Sequence, residues 1–313
     1  MSQPPAPPGV APDPESLPAA FRRNNAADPG WLRTLPARLA ALARRWSLTL
    51  EPPFPDLTYH YVAPARRRSA AGGERRCVLK LGRDAAGLGA EAAALRLFDG
   101  DGAARLLDAD LEAGALLMER LRPGTTLVAL AARDDDAATR VAAAALQRLW
   151  RPAPAPAAGP GLRRLDSWFA SFARYRDALR TGPGPLPLPL FALAEDTLAE
   201  LLATAGPPAV LHGDLHHGNL LRAERAPWLA IDPKGLAGDP PFDVCQFLLN
   251  PQEPPPERLV ARLRLLVAEL GLDARRTKRW AFAHSMLNAC WSVEDGDGGW
   301  ERDVERARVL LAA

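Results

Sequence analysis

Residues 31–46 (WLRTLPARLAALARRW) set Leu32, Leu35, Leu39, Leu42 and Trp46 at steps of three and four, the spacing of one helix face. After this helix the period shortens. Leu57–Val62 and Arg75–Leu81 are short runs of β-formers separated by Arg66-Arg67-Arg68 and Gly72-Gly73, which predicts a hairpin with the arginines in a solvated turn. Residues 86–98 (AGLGAEAAALRLF) are again helical in propensity, and Ala104–Asp110 and Ala113–Met118 read as two strands around a turn. The first part of the chain therefore reads helix, strand, strand, helix, strand, strand.

Leu121-Arg-Pro-Gly124 interrupts this order, and beyond it the pattern is mainly helical. The change marks a boundary near residue 120. A helix opening at Asp134-Asp-Asp136 and ending near Trp150 has acids at its N-terminus, where the helix dipole favours them. Further helices are predicted over 162–180, 191–204, 256–270, 274–293 and 300–312, with Pro152–Pro160 as a stiff surface linker. Among them Val210-Leu211, Leu220-Leu221 and Trp228–Ile231 are brief apolar runs between turns, expected as short strands that hold loops.

Composition adds limits more than identity. With 313 residues, 48% apolar and 24% charged, the chain suits a soluble protein of two lobes. A net charge of +2 from 39 basic and 37 acidic residues gives no broad field toward nucleic acid or a membrane surface, so a charged ligand must be met locally. Cys77, Cys245 and Cys290 are few, odd in number and far apart, which fits a reducing cytoplasm better than a disulfide framework. Residues 1–16 are Pro-rich, lack a signal-peptide pattern and are expected to be a disordered tail.

The chemistry concentrates in His212-Gly-Asp-Leu-His-His-Gly-Asn219. Asp214 and Asn219 stand five positions apart between two predicted strands, and Asp232 closes the apolar run Trp-Leu-Ala-Ile just before Pro233. A hairpin of this length would return Asp232 beside Asn219. An Asn amide oxygen and a carboxylate are hard ligands of the kind Mg²⁺ takes when phosphates and water fill its remaining places. Asp214 is then left to accept a proton from an attacking hydroxyl and orient it for phosphoryl transfer. His212 is expected to shape the loop through backbone bonds, and no ligand cluster accompanies His216-His217 to make a metal site. Asp239 and Asp243, in Gly-Asp-Pro-Pro-Phe-Asp, are expected to be structural, with Asp243 capping a helix over Val244–Leu249 and bracing the loop.

The string HGDLHHGNLL followed by IDPKGLAGDPPFD resembles the phosphotransferase motif of the aminoglycoside phosphotransferase superfamily, most closely its streptomycin 6-kinase and hydroxyurea phosphotransferase branch. The resemblance implies an α+β, bilobal protein-kinase-like fold: a small antiparallel sheet with one helix (17–118), a hinge (119–121) and a larger, mainly helical lobe (122–313). It implies ATP and Mg²⁺ between the lobes, with Asp214 as catalytic base and Asn219 and Asp232 as metal ligands. It also demands a strand lysine for the nucleotide phosphates and a helix glutamate to hold it; Lys80, in Cys-Val-Leu-Lys-Leu, and Glu91 occupy those places. Met118, Glu119 and Leu121 resemble the hinge that meets adenine. Trp291 and Glu294 fall where the acceptor pocket is expected, a carboxylate there suiting a guanidinium-bearing substrate. No G-x-G-x-x-G lies near Tyr59-His60-Tyr61, where a kinase glycine loop belongs. The expected reaction is γ-phosphoryl transfer to a hydroxyl of a small molecule, streptomycin first and hydroxyurea second. A metabolic kinase for an amino alcohol or sugar, or a catalytically dead nucleotide-binding relative, are the other readings.

Overall fold

The computed structural model describes residues 17–68, 72–154, 161–250, 254–296 and 298–313. The expected tail over 1–16 and most of the Pro/Ala linker lie outside these residues. The chain forms two compact units, one comprising residues up to Gly100 together with Ala104–Leu121, the other Asp101–Ala103 together with Arg122–Ala313.

In the first unit α1 (Ala19–Asn24) precedes α2 (Pro29–Trp46), whose first turn is capped by the Asp28 carboxylate accepting from Trp31 N at 2.9 Å. Strand β1 (Leu48–Leu50) follows, then β2 (Tyr61–Arg68), β3 (Glu74–Leu81), α3 (Ala85–Phe98), β4 (Leu106–Asp110) and β5 (Ala115–Glu119). The strands make one antiparallel sheet in the order β1-β2-β3-β5-β4. Strand alternation divides its faces. Cys77, Leu79, Leu81, Ala115 and Leu117 pack with Leu35, Leu39, Leu42 and Trp46 of α2, while Leu116 packs with Leu88 and Ala92 of α3. Lys80, between Leu79 and Leu81, is thereby delivered to the α3 face.

The first hairpin strand differs from expectation. It runs over 61–68 instead of 57–62, so Arg66, Arg67 and Arg68 are strand residues and not a turn. Pro64 is tolerated inside it because an antiparallel residue directs its N–H and C=O to one side. Its carbonyl accepts from Glu51 N at 2.8 Å, so the missing donor falls on that side and costs the β2–β3 ladder nothing.

The second unit opens with β6 (Pro123–Thr126), α4 (Val128–Ala131) and α5 (Asp135–Leu149), the last capped by Asp134. Residues 162–180 are not the single helix expected. Arg163-Arg164 are drawn into a two-residue strand β7, leaving α6 (Leu165–Trp168) and α7 (Ala170–Ala178) broken at Phe169. Helix α8 (Leu188–Ala203), strands β8 (Ala209–Leu211), β9 (Leu220–Ala223), β10 (Trp228–Ala230) and β11 (Leu236–Gly238), and helices α9 (Cys245–Leu249), α10 (Pro256–Leu270), α11 (Ala274–Asp295) and α12 (Trp300–Ala312) complete it. Two three-stranded sheets, β10-β9-β6 and β7-β11-β8, hold the motif-bearing loops. Helix α11 packs against α8 and α12, and α10 against α5. All three cysteines are buried thiols. Among the described residues no helix is long and apolar enough to cross a membrane.

Candidate active site

The His212–Asn219 loop leaves β8 with its first three backbone donors individually engaged. His212 N and Gly213 N donate to the two oxygens of Asp243, at 2.9 and 2.6 Å, and Trp150 Nε1 donates to the same carboxylate at 3.1 Å. Asp214 N donates to His212 Nδ1 at 3.2 Å. Because Nδ1 accepts, His212 Nε2 carries the proton and donates to Ile231 O at 2.8 Å. The imidazole thus ties the residue before Asp232 to the backbone of Asp214. Burial drives the His212 pKa down to about 4, so the ring is neutral at physiological pH. Burial pushes the Asp243 carboxyl up to about 6, against the pull of its three donors. Asp243 therefore braces the loop as expected but does not cap a helix: residues 240–244 form a tight 3₁₀ turn, and the following helix has no side-chain cap.

Gly213 has φ +79°, and a Cβ there would lie 2.8 Å from Leu236 Cδ1 and 3.2 Å from Lys234 Cβ. Only a residue without a side chain fits both the left-handed backbone and the close approach of the 234–236 segment. At the far end of the loop His216 Nδ1 accepts from Gly218 N at 3.0 Å, forming a short turn over His217–Asn219. His217 stacks on Phe247 with ring centroids 3.9 Å apart. Behind Phe247 lies Arg262, its guanidinium 5.6 Å from the ring and paired at 2.6 Å with Asp135 at the start of α5. The loop is thus backed by the packed centre of the second unit.

Asn219 donates from Nδ2 to the Asp214 carbonyl at 2.9 Å, and its own carbonyl accepts from Ile231 N at 2.9 Å. The first bond fixes the side-chain amide, and the second, to the main-chain carbonyl, places Asp232 one residue beyond the Asn219 pairing. Asp232 holds φ at +58°, a left-handed conformation costly for a carboxylate residue and of the kind that clusters at functional sites. The donor set fits magnesium. The Asn219 amide oxygen is not consumed by its bond to Asp214, and with the Asp232 carboxylate it would offer two hard oxygens, the number a nucleotide-bound magnesium takes from protein when phosphate and water fill its other places. Among the described residues no group of three or more His, Cys, Asp or Glu could hold an ion alone.

In the first unit Lys80 Nζ lies 2.7 Å from Glu91 Oε2, both residues being about 95% buried (3% and 5% exposed). Met118 is buried in β5 opposite Val78; Glu119 accepts from Arg105 N at 2.8 Å, and Leu121 ends the unit. In the second unit Trp291 stands edge-on to Trp168, and Glu294 is gripped by Arg174 through two 2.9 Å bonds and by Ser171 Oγ at 3.1 Å. Asp239 receives Trp280 Nε1 at 2.6 Å and Arg276 Nε at 2.5 Å, a structural anchor on α11.

One residue the motif reading passed over stands at the centre. Lys234 Nζ lies 3.0 Å from Asp214 Oδ2, and its backbone N donates to His212 O at 2.7 Å. Composition offered a signal for it, since only Lys80, Lys234 and Lys278 among the 39 basic residues are lysines.

Residues 66–296 match the family model described as aminoglycoside/hydroxyurea antibiotic resistance kinase. The chain belongs to this family. It is 36% identical to streptomycin 6-kinase of Streptomyces glaucescens over 96% of its own length and 95% of the relative's. It is likewise 36% identical to hydroxyurea phosphotransferase of Kitasatospora aureofaciens, over 95% of this chain and 85% of that one. In solved structures the fold recurs in the aminoglycoside phosphotransferase APH(4)-Ia, with a TM-score of 0.62 at 16% identity over 88% of this chain and 98% of that one. It recurs also in a choline/ethanolamine kinase family protein of Mesorhizobium loti, with a TM-score of 0.61 at 17% identity over 88% and 93%. The protein is therefore an antibiotic-resistance-type phosphotransferase of protein-kinase-like, α+β fold.

Proposed function

We propose that this kinase transfers the γ-phosphoryl of ATP to a hydroxyl of a small molecule, with streptomycin the first acceptor and hydroxyurea the second. The carrying observation is the Asn219 side chain bonded to the Asp214 backbone, which joins an oxygen ligand to a carboxylate through one fixed loop. In this reading Asp214 receives the acceptor's hydroxyl proton and orients the oxygen for attack. Asn219 and Asp232 hold Mg²⁺, which when bound neutralises charge on the nucleotide phosphates. Lys80, kept in place by Glu91, meets the α- and β-phosphates, and the backbone from Met118 through Glu119 to Leu121 meets adenine. Trp291 and Glu294 flank the acceptor, a guanidinium reaching Glu294 by exchange with Arg174. The kinase acts as a cytoplasmic enzyme on small molecules. Relatives acting on streptomycin and on hydroxyurea support the choice of acceptors.

The test is ATP turnover measured with streptomycin, hydroxyurea and choline in parallel, with Asp214→Asn as control. Acceptor-dependent turnover with streptomycin or hydroxyurea, lost by about 10²- to 10⁴-fold in Asp214→Asn, is the expected result. Acceptor-dependent turnover that persists at full rate in Asp214→Asn would remove Asp214 from the chemistry.

A further inference from the structure

The pair between Lys234 and Asp214 is partly open to water. The Lys234 side chain is 41% exposed and that of Asp214 18%, and ion pairs this open to water contribute little to stability. Yet the placement is closely built. Pro233 separates Lys234 from Asp232, the Lys234 backbone is bonded to His212 O, and the absent side chain of Gly213 leaves room for the Lys234 stem. The base of the side chain is held while its ammonium keeps the freedom of a long stem.

The residue type carries a second argument. This chain writes nearly all its cations as arginine, and two of its three lysines lie at Glu91 and at Asp214. A guanidinium fork at 234 could take both Asp214 oxygens at once and immobilise the carboxylate. An ammonium is a point donor, and here it contacts Oδ2, which leaves Oδ1 for an acceptor hydroxyl. A cation beside the base, mobile at its tip, is suited to the negative group that must arrive there.

We propose that Lys234 is a catalytic residue whose ammonium, parked on Asp214 before substrates bind, bonds to the oxygens of the γ-phosphoryl group during its transfer. The inference rests on Asp214 being the base. The acceptor oxygen forms its bond to the γ-phosphorus as the bond from that phosphorus to the β,γ-bridging oxygen breaks. The hydroxyl proton passes to Asp214, ADP departs with the bridging oxygen, and the Lys234 ammonium offsets the charge of the phosphoryl oxygens.

The experiment compares the full chain with Lys234→Met for binding of ADP·Mg²⁺ alone and with aluminium fluoride, which mimics the phosphoryl group in flight. Binding of ADP·Mg²⁺ is expected to stay within about threefold, while the tightening by aluminium fluoride falls about 10- to 100-fold and kcat with streptomycin about 100- to 1000-fold. Undiminished aluminium fluoride binding in Lys234→Met overturns the proposal. Asp214→Asn separates the two readings: if it is inactive while Lys234→Met matches the wild type, only the role of Lys234 falls, whereas an active Asp214→Asn removes the base itself. Should Lys234→Met fail to fold, Lys234→Cys treated with 2-bromoethylamine rebuilds an ammonium there, the three native thiols being buried. Recovery of aluminium fluoride binding on aminoethylation supports the assignment, and equal binding before and after refutes it.

Discussion

His212 joins the Asp214 and Ile231 segments through one ring, so replacing it should damage fold and, if Asp214 is the base, rate separably. In His212→Ala both Asp214 N–H and Ile231 O lose their partner, the bonds of 3.2 and 2.8 Å, at a fully buried position. An unsatisfied buried group costs about 1–3 kcal/mol, so with the lost packing the expected destabilisation is about 3–5 kcal/mol. The rate should fall further, because misplacing a catalytic group by about 1 Å can cost about 100-fold. Two other replacements divide the effect. Asn can set its amide oxygen near the Nδ1 position and restore the acceptor for Asp214 N, while Gln can restore only the donor near Nε2 toward Ile231. Urea unfolding should rank both above Ala, and kcat should rank Asn above Gln. If Gln matches or exceeds Asn in kcat, or if Ala equals Asn, the bond to Asp214 N does not position the base.

Gly213→Ala must place a side chain at φ +79° against Leu236, and a loss of about 2–4 kcal/mol with a matching fall in kcat is expected by thermal unfolding and assay. Asp135→Ala removes the carboxylate paired with Arg262, a side chain only 3% exposed, and should cost about 3–5 kcal/mol in urea unfolding; a change under about 1 kcal/mol would show that the carbonyls around Arg262 suffice. Burial lowers the pKa values of His212, His217 and His284 to about 4, 3 and 4. Their neutral forms are favoured in the fold, so the stability they contribute is present above pH about 6.5 and is lost as pH falls toward 4, by up to about 3 kcal/mol for His284 alone. Asp243, raised to about 6, acts oppositely by favouring the fold as it protonates, and offsets one histidine. His284→Phe should flatten the fall in urea midpoint between pH 6.5 and 4.5, and an unchanged slope would count against burial of the neutral ring as its source.

The long helices were legible because each buries one stripe against a core: the apolar steps of α2, α10 and α12 mark the elements that form. The His212–Asn219 loop was legible as the candidate site because glycine, Asp and Asn at fixed offsets have few other uses together. Strands β6, β7 and β11 were not, since runs of two to four residues carry no period and owe their existence to partners distant in sequence. The break of 162–180 follows from the same cause, the pairing of Arg163 with Leu236. Asp243 was legible as a brace but misread as a cap, because nothing local reveals that its donors lie some thirty residues upstream. Lys234 was visible in the composition, where lysine is rare, and would have been found by asking why arginine does not stand there.

The alternation of β3 has a consequence for which length changes this kinase can survive. Lys80 reaches Glu91 only because an odd number of steps separates it from Leu79 and Leu81, whose side chains enter the opposite core. Deleting one residue between Arg75 and Val78 would rotate the parity of the strand relative to the hairpin joint, exposing the sheet to a choice between burying Lys80 against α2 and re-registering every rung with β2. Single-residue insertions and deletions inside β3 should therefore be rejected, a constraint that a deletion scan along Glu74–Leu81 selected by antibiotic survival would map at single-residue resolution.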